Sequence, residues 1–336
     1  MQALLYDIIK EKAGTGGITL KIAVLDRLTL GEDLDLTPAK QYGELIIYDN
    51  TMPDEVEAHI ADADVVFVNK VKLNEANLKN VPGLKLICEA ATGYDNIDLD
   101  FCRQKGIAVC NVPGYSVYSV AQLTVSLVLS LVNRLREYTG YTADGTYSRG
   151  TSANILTPVF HELYGKTWGI VGYGAIGERV GEIAKALGCN ICAFKRTPAD
   201  GVECVDIDTL IEKSDIITMH IPLSEQTRGL INADRIAKMK KTAVLVNTAR
   251  GAVLDEKAIC EAVKQGKIAG FGSDVYSVEP FGGDSPYYEI KNHSNVCLTP
   301  HMAWGTIEAR ERCFGEMLLN MKAFFDGEKR NRIDLR

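Results

Sequence analysis

The sequence predicts an α/β protein made of two doubly wound, parallel-sheet domains. Three observations carry this expectation. Short apolar, β-rich runs alternate with amphipathic helical segments from Lys21 onward. The alternation comes as two series with one long apolar helix between them. The length, 336 residues, suits two domains at roughly 150 residues each. Strands separated by helices argue for βαβ units, and hence for parallel pairing beneath covering helices.

In the first series Lys21–Asp26, Leu45–Asp49, Val65–Asn69, Leu84–Ala90 and Ile107–Asn111 read as strands, with amphipathic segments at Asp54–Ala63 and Asn96–Lys105. A long helix is expected near 119–135. Its most apolar part, Val120–Val132, is interrupted by Gln122, Thr124, Ser126 and Ser130. That falls short of the ~18 apolar residues of a membrane span, so it reads as a buried helix. A looser stretch with Thr, Gly, Ser and Asn follows. The second series reads Thr167–Val171, Asn190–Lys195, Ile216–Ile221, Ala243–Asn247, Gly270–Val275 and Val296–Thr299 as strands, and a terminal helix near Thr306–Phe325 closes the chain. Residues 1–19 precede the first strand without a core role. Leu20 is expected to mark an alternative start, since Gly16-Gly17 could be encoded by a purine-rich ribosome-binding sequence.

Lys and Arg number 37 and Asp and Glu 44, a formal net charge of −7. Hydrophobic residues make up 46% and charged residues 24%, an ordinary globular composition. The mild acidity argues against nucleic acid or an anionic membrane as partner. Nine cysteines are scattered singly except for Cys189 and Cys192, one C-x-x-C with no second pair or spaced histidines nearby. Ordinary reduced thiols are expected, with no metal site. The N-terminus carries no Arg-rich or signal-peptide pattern, so a cytoplasmic location is expected.

Trp168–Val171 runs directly into Gly172-Tyr-Gly174-Ala175-Ile176-Gly177, and a helical pattern follows to Leu187. G-x-G-x-x-G alone is a weak signal, but a strand before it, a helix after it and another strand from Asn190 make the reading specific. Gly172 permits the tight turn, Gly174 lets the backbone approach a pyrophosphate, and Gly177 allows close helix–strand packing. The helix N-terminus then offers its unpaired N–H groups to the phosphates.

Catalytic groups in such a sheet sit beyond the carboxyl ends of strands. Arg250 does so in Asn247-Thr248-Ala249-Arg250-Gly251, Glu279 in Val278-Glu279-Pro280, and His301 after Leu298-Thr299-Pro300. From spacing alone each has a second reading: a solvated loop charge, a turn residue and a satisfied histidine. His220 ends a strand before Pro222 and could line a cofactor pocket. His59 lies on a charged helix, His161 in a polar connection and His293 in a turn.

The ordered set of Gly172–Gly177, His220-Ile-Pro222, Asn247-Thr-Ala-Arg250-Gly251, Gly272-Ser-Asp274-Val275, Glu279-Pro280 and Thr299-Pro-His301 resembles the D-isomer-specific 2-hydroxyacid dehydrogenases. The resemblance covers nearly everything from Lys21 onward. Ala91-Thr92-Gly93-Tyr-Asp-Asn96-Ile-Asp98 and Thr299-Pro-His301-Met-Ala-Trp304 are similar to the glycerate dehydrogenase/hydroxypyruvate reductase branch. The resemblance implies a Rossmann cofactor domain, 118–304, inserted in a flavodoxin-like substrate domain, 1–117 with 305–336. It implies Arg250, Glu279 and His301 as the catalytic trio. Pro222, Thr227, Thr248 and Ala249 join the glycine loop and His220 on the cofactor side. It also places the 119–133 helix near a subunit interface, so a homodimer is expected; a helix wedged between the domains is the alternative.

For the reduction of a small 2-oxo acid of the hydroxypyruvate or glyoxylate type, the roles are chemically sensible. His301 would donate the proton that quenches the developing oxyanion. Glu279 would pair with the imidazole, fix its tautomer and favour its charged form. Arg250 offers a planar fork for the substrate carboxylate and carbonyl. Thr92 and Gly93 would add backbone N–H groups from the other domain, and Asp274 would accept from the nicotinamide carboxamide. Lys70 and Trp304 are candidate pocket walls. A bulkier 2-oxo acid is the nearer alternative and a non-catalytic dinucleotide sensor the further one. An acid is expected about 20 residues after the glycine loop in an NAD-specific site. Here that strand ends in Lys195-Arg196-Thr197, so NADP(H) is expected in preference to NAD(H).

Overall fold

The computed structural model describes residues 20–336; the expectations for residues 1–19 lie outside the described residues. The described chain forms two compact units, residues 20–115 with 307–336 and residues 116–306.

The first unit carries β1 Leu20–Val24, β2 Gly43–Ile47, β3 Val65–Val68, β4 Leu86–Glu89 and β5 Ala108–Cys110. All pairs are parallel, in the order β2-β1-β3-β4-β5. β3 and β4 are buried along their whole length, which is why they read as unbroken apolar runs rather than alternating ones. Helix Leu99–Lys105 starts on Asp98, whose carboxylate accepts from the Phe101 N–H at 3.0 Å, and ends at Gly106 with φ 71°. Helix Ile307–Phe325 belongs to this unit too. It buries Cys313, Phe314, Met317, Leu318 and Met321 and packs on β4.

The second unit carries β6 Thr167–Val171, β7 Asn190–Phe194, β8 Glu203–Cys204, β9 Ile216–Met219, β10 Val244–Asn247, β11 Gly270–Ser273 and β12 Val296–Leu298. Its seven strands run parallel in the order β12-β11-β10-β9-β6-β7-β8. The order reverses between β6 and β9, and ligands in such sheets bind beyond the carboxyl ends of the strands at that reversal. Helix Val117–Val132 lies on this sheet, against β10, β11 and helix Ala175–Ala186. A Cβ built at Gly272 would stand 3.2 Å from Val246 and 3.3 Å from Leu131, so glycine lets the helix lie this close to β11. Ala121, Thr124, Leu127 and Val128 of that helix are buried, and the long apolar run is a core helix. Among the described residues no single helix is long and apolar enough to cross a membrane.

Three expectations need correction. The loose stretch after residue 133 contains helices Leu135–Ala143 and Thr146–Arg149, neither with a buried residue. Gly140 and the β-branched threonines hide the first from propensity arguments, and it is held by the Arg134–Glu137 ion pair and a Tyr138–Tyr141 ring contact. The short edge strand β8 was not expected either, and two residues give no readable period. Finally, several strands end one or two residues early, at Val24, Val68, Met219 and Ser273. After Val68 the cause is visible: the Asp26 carboxylate, distant in sequence, captures the Asn69 N–H.

All nine cysteines are free thiols. Cys189 Sγ lies 3.4 Å from the Leu163 carbonyl and Cys192 Sγ 3.8 Å from Ser214 Oγ, so the C-x-x-C is two separate buried side chains.

Asp215 ties three strands at their amino ends. Its carboxylate accepts from the Thr167 N–H and from Lys240 Nζ, each at 2.9 Å, while its carbonyl accepts from the Val244 N–H. Burial raises its pKa, but the Thr167 bond and the Lys240 charge outweigh it, and the net shift is downward. A lowered folded-state pKa stabilises the protein above the unfolded carboxylate pKa and ceases to do so as pH falls through the folded value. Asp215→Asn is therefore expected to cost about 1–2 kcal/mol at neutral pH. The difference from wild type should close below pH ~4, as read by urea unfolding at a series of pH values.

Candidate active site

The carboxyl ends of β6, β7 and β9 to β12 share one edge of the second sheet, and nearly all the site residues expected in this unit leave from there. After β6, Gly172 turns with φ 97°, and a Cβ on it would stand 2.6 Å from the His220 carbonyl. At Gly177 a Cβ would strike the Gly172 carbonyl at 2.2 Å. These two glycines serve the protein's own packing. Gly174 differs: its Cβ would meet nothing within 4 Å. It caps helix Ala175–Ala186, so an open space lies directly before a helix N-terminus. An anionic pyrophosphate fits there, received by the first-turn N–H groups of Ala175, Ile176 and Gly177.

His220 follows β9, its N–H donating to the Val171 carbonyl at 2.7 Å. Both ring nitrogens are buried without a partner, and burial lowers the imidazole pKa to about 3. It is a neutral ring beside the glycine turn. Exposed Lys195, Arg196 and Thr197 follow β7. Pro222 and Thr227 form a turn closed by Thr227 Oγ1, which donates to the Pro222 carbonyl at 2.7 Å. Thr248 Oγ1 lies 2.9 Å from Thr124 Oγ1 on the core helix.

Arg250 follows β10. Asn247 organises its turn: Oδ1 accepts from the Ala249 N–H at 3.0 Å and Nδ2 donates to the Arg250 carbonyl at 2.9 Å. Glu279 follows β11. Its Oε1 accepts from the Tyr276 N–H at 2.9 Å, and its Oε2 lies 2.6 Å from His301 Nδ1. His301 follows β12 with φ 55°. That left-handed conformation is uncommon for a residue other than glycine and points to function when the surroundings enforce it.

Asp274 does the enforcing. Its fully buried carboxylate accepts from Thr299 Oγ1 at 2.6 Å, the Met302 N–H at 2.9 Å and the Ala303 N–H at 2.8 Å. Burial raises its pKa, against these three donors and the nearby His301. The residue expected to meet the nicotinamide carboxamide thus builds the His301 turn. Sequence reasoning also assigned no role to Asn247, or to Tyr276, whose hydroxyl donates to the Thr299 carbonyl at 2.7 Å. Asn247-Thr-Ala, a side chain two residues before the N–H it captures, was the readable signal.

Thr92, Gly93 and Lys70 belong to the first unit. Thr92 Oγ1 donates to the Val112 carbonyl at 2.8 Å, and the Thr92 carbonyl accepts from Asn111 Nδ2 at 2.7 Å. The Lys70 N–H is held by Asp26 at 2.5 Å. Trp304 is half-buried beside the His301 turn. Among the described residues no group of three or more His, Cys, Asp or Glu side chains could hold a metal ion.

A dinucleotide cradle beside a His–Glu pair is a dehydrogenase arrangement, and comparison with known proteins agrees. Residues 125–303 match the family described as D-isomer specific 2-hydroxyacid dehydrogenase, NAD binding domain. The chain belongs to that family. A hydroxypyruvate reductase of Blautia hydrogenotrophica is 34% identical over 94% of this chain and its own full length. A glycerate dehydrogenase of Methylorubrum extorquens is 34% identical with the same coverage. Among solved structures, an acyclic imino acid reductase in complex with NADPH and D-Arg superposes with TM-score 0.84 at 28% identity, over 94% of this chain and all of that one. This dehydrogenase is thus an oxidoreductase acting on CH–OH donors, with a nicotinamide dinucleotide as cofactor.

The glycine geometry separates ligand binding from folding. Gly174→Ala is expected to change stability by no more than ~0.5 kcal/mol. The same change should weaken dinucleotide binding at least ~10-fold in fluorescence titration. Gly177→Ala, which must displace backbone, should instead lower stability by ~1–3 kcal/mol.

Proposed function

We propose that this dehydrogenase reduces a small 2-oxo acid of the hydroxypyruvate or glyoxylate type to the D-2-hydroxy acid. The observation that carries the reading is the 2.6 Å pair of His301 Nδ1 and Glu279 Oε2 at the strand edge that also bears Arg250. The names of the 34% identical relatives support the same substrate class. When bound, the reduced nicotinamide supplies the hydride, which carries two electrons to the carbonyl carbon. Glu279, held by the Tyr276 N–H, orients the imidazole so that Nε2 of His301 delivers the proton to the carbonyl oxygen. The donor is the imidazolium: Nε2 gives up its proton, and the Glu279 contact keeps the other proton on Nδ1, leaving the neutral Nδ1–H tautomer. Arg250 binds the substrate carboxylate and carbonyl oxygen through its planar fork. Thr92 and Gly93, whose N–H groups meet no acceptor among the described residues, are proposed as further carboxylate donors.

We assign the cofactor preference to NADPH. Lys195 and Arg196 stand exposed after β7, with no carboxylate before Asp200. A carboxylate there would repel a 2′-phosphate, whereas Arg196 can bind it bidentately and Lys195 adds a point charge. NADPH in the similar imino acid reductase is consistent with this.

We also propose a homodimer in the cytoplasm. The core helix Val117–Val132 packs one face on its own sheet and leaves Tyr118, Gln122 and Ser126 exposed on the other. The segment after it argues for the dimer: Leu156, Val159 and Tyr164 are 68%, 70% and 77% exposed, an apolar surface that a second copy would cover. Nine free thiols suit a reducing compartment. A mass corresponding to the monomer in light scattering at micromolar concentration would refute the dimer.

Initial rates with hydroxypyruvate, glyoxylate, pyruvate and phenylpyruvate, each with NADPH and NADH, test the substrate reading. Preference for phenylpyruvate would point to a bulkier substrate, and tight dinucleotide binding without turnover to a sensor. His301→Ala should lower kcat roughly 10²-fold or more, and Arg250→Ala should both raise KM and lower kcat. Near-full turnover by the His301 variant would overturn the assignment. NADPH should exceed NADH at least ~10-fold in kcat/KM, only ~1.4 kcal/mol of differential binding. Arg196→Ala should erode that ratio through the NADPH KM; equal efficiency with NADH in the unmodified enzyme would reverse the preference.

A further inference from the structure

The first unit holds a buried carboxyl group that the chemistry above leaves unused. Glu89 ends β4, is fully buried, and its Oε1 has no hydrogen-bond partner. Its Oε2 accepts from Asn96 Nδ2 at 3.0 Å. The same amide also reaches the Val71 carbonyl at 3.2 Å and the Asn69 carbonyl at 3.4 Å. One side chain therefore ties together the end of β4, the turn after β3 and the far end of the segment 91–96.

The turn after β3 is fixed from its other side. Buried Asp26 accepts the successive N–H groups of Asn69, Lys70 and Val71. The Leu73 N–H donates to the Asn96 carbonyl at 2.8 Å and continues the contact as a Leu73–Ile97 bridge. The near end of the segment 91–96 is held separately, by Val112 and Asn111 on Thr92. Between the two anchors, Thr92 and Asn96, lie Gly93, Tyr94 and Asp95.

Burial pushes the Glu89 carboxyl well above the usual range; the Asn96 bond opposes this, and the nearby Asp26 and Asp95 charges add to it. A neutral carboxyl also fits the geometry, because an ionised one would bury an oxygen with no donor. Charge at Glu89 is then not what the fold uses; its shape and its one acceptor are.

We propose that Glu89 and Asn96 are a positioning pair that fixes the segment 91–96 and so presents the Thr92 and Gly93 N–H groups to the substrate carboxylate. The substrate in this statement rests on the 2-oxo acid reading above; the clasp itself does not.

Three variants test it. Glu89→Gln keeps shape, acceptor and neutrality, Glu89→Ala removes the acceptor, and Asn96→Ala removes the donor. With the preferred 2-oxo acid, the Gln variant should keep KM and kcat within ~2-fold of wild type. Each Ala variant should raise KM at least ~10-fold while kcat changes less than ~3-fold, with dinucleotide affinity unchanged. Amide hydrogen exchange should show loss of protection at 69–73 and 91–98 in the Ala variants only. A Gln variant as impaired as the Ala variants, or Ala variants with unchanged KM, would overturn the pair. If Glu89→Ala does not fold, Asn96→Ala decides by the same readings. If wild type turns over no 2-oxo acid, the functional reading fails and exchange alone judges the clasp. Loss of protection confined to those two segments then supports it, and uniform or absent change overturns it.

Discussion

A buried carboxylate at the end of a strand fixes the turn that carries His301. Asp274 follows β11 and gathers Thr299, Met302 and Ala303 onto its two oxygens. That capture bends the chain after β12 into the left-handed conformation of His301. The His301 N–H and the Tyr276 hydroxyl, both donating to the Thr299 carbonyl, support the same turn. The first sheet uses the same device: Asp26, after β1, gathers Asn69, Lys70 and Val71. In both cases burial raises the carboxyl's pKa while the donors lower it. The hydrogen bonds lessen the cost of burying the charge, but burial prevails and the net shift is upward in both.

The parallel architecture makes this device useful. In a parallel sheet every strand delivers its carboxyl end to the same edge, so residues far apart in sequence become neighbours without any long-range design. Arg250, Glu279 and His301 are drawn from the ends of the consecutive neighbours β10, β11 and β12. Their turns are then shaped one by one: Asn247 for the first, the Tyr276 N–H for the second, Asp274 for the third. The sheet provides proximity, and local hydrogen bonds provide direction.

This division of labour also explains what could be read from the sequence. The central strands of both sheets were legible because full burial makes them unbroken apolar runs, as in Val65–Val68 and Val244–Asn247. The glycine loop was legible because its three glycines sit in one strand–turn–helix unit. Strand ends were misplaced by a residue or two; after Val68 the reason is that the Asp26 side chain, distant in sequence, captures the Asn69 N–H. Helix Leu135–Ala143 was missed because it buries nothing and so shows no period. The roles of Asp274 and Asn96 were hidden for one reason: each acts on atoms brought near only by the fold.

Two histidines beside this edge show how environment assigns a role. His220 and His301 both follow strands of the second sheet, at β9 and β12. His220 has both ring nitrogens buried without a partner, and burial alone lowers its pKa to about 3. At neutral pH it carries no extra proton, and its backbone carbonyl packs against the glycine turn. His301 is only partly buried and has a carboxylate 2.6 Å from Nδ1. That carboxylate engages Nδ1 and leaves Nε2 as the ring's other polar atom. A residue that must donate a proton and regain it needs a counter-charge on one side and an open path on the other. Of the two, only His301 has a carboxylate at one ring nitrogen.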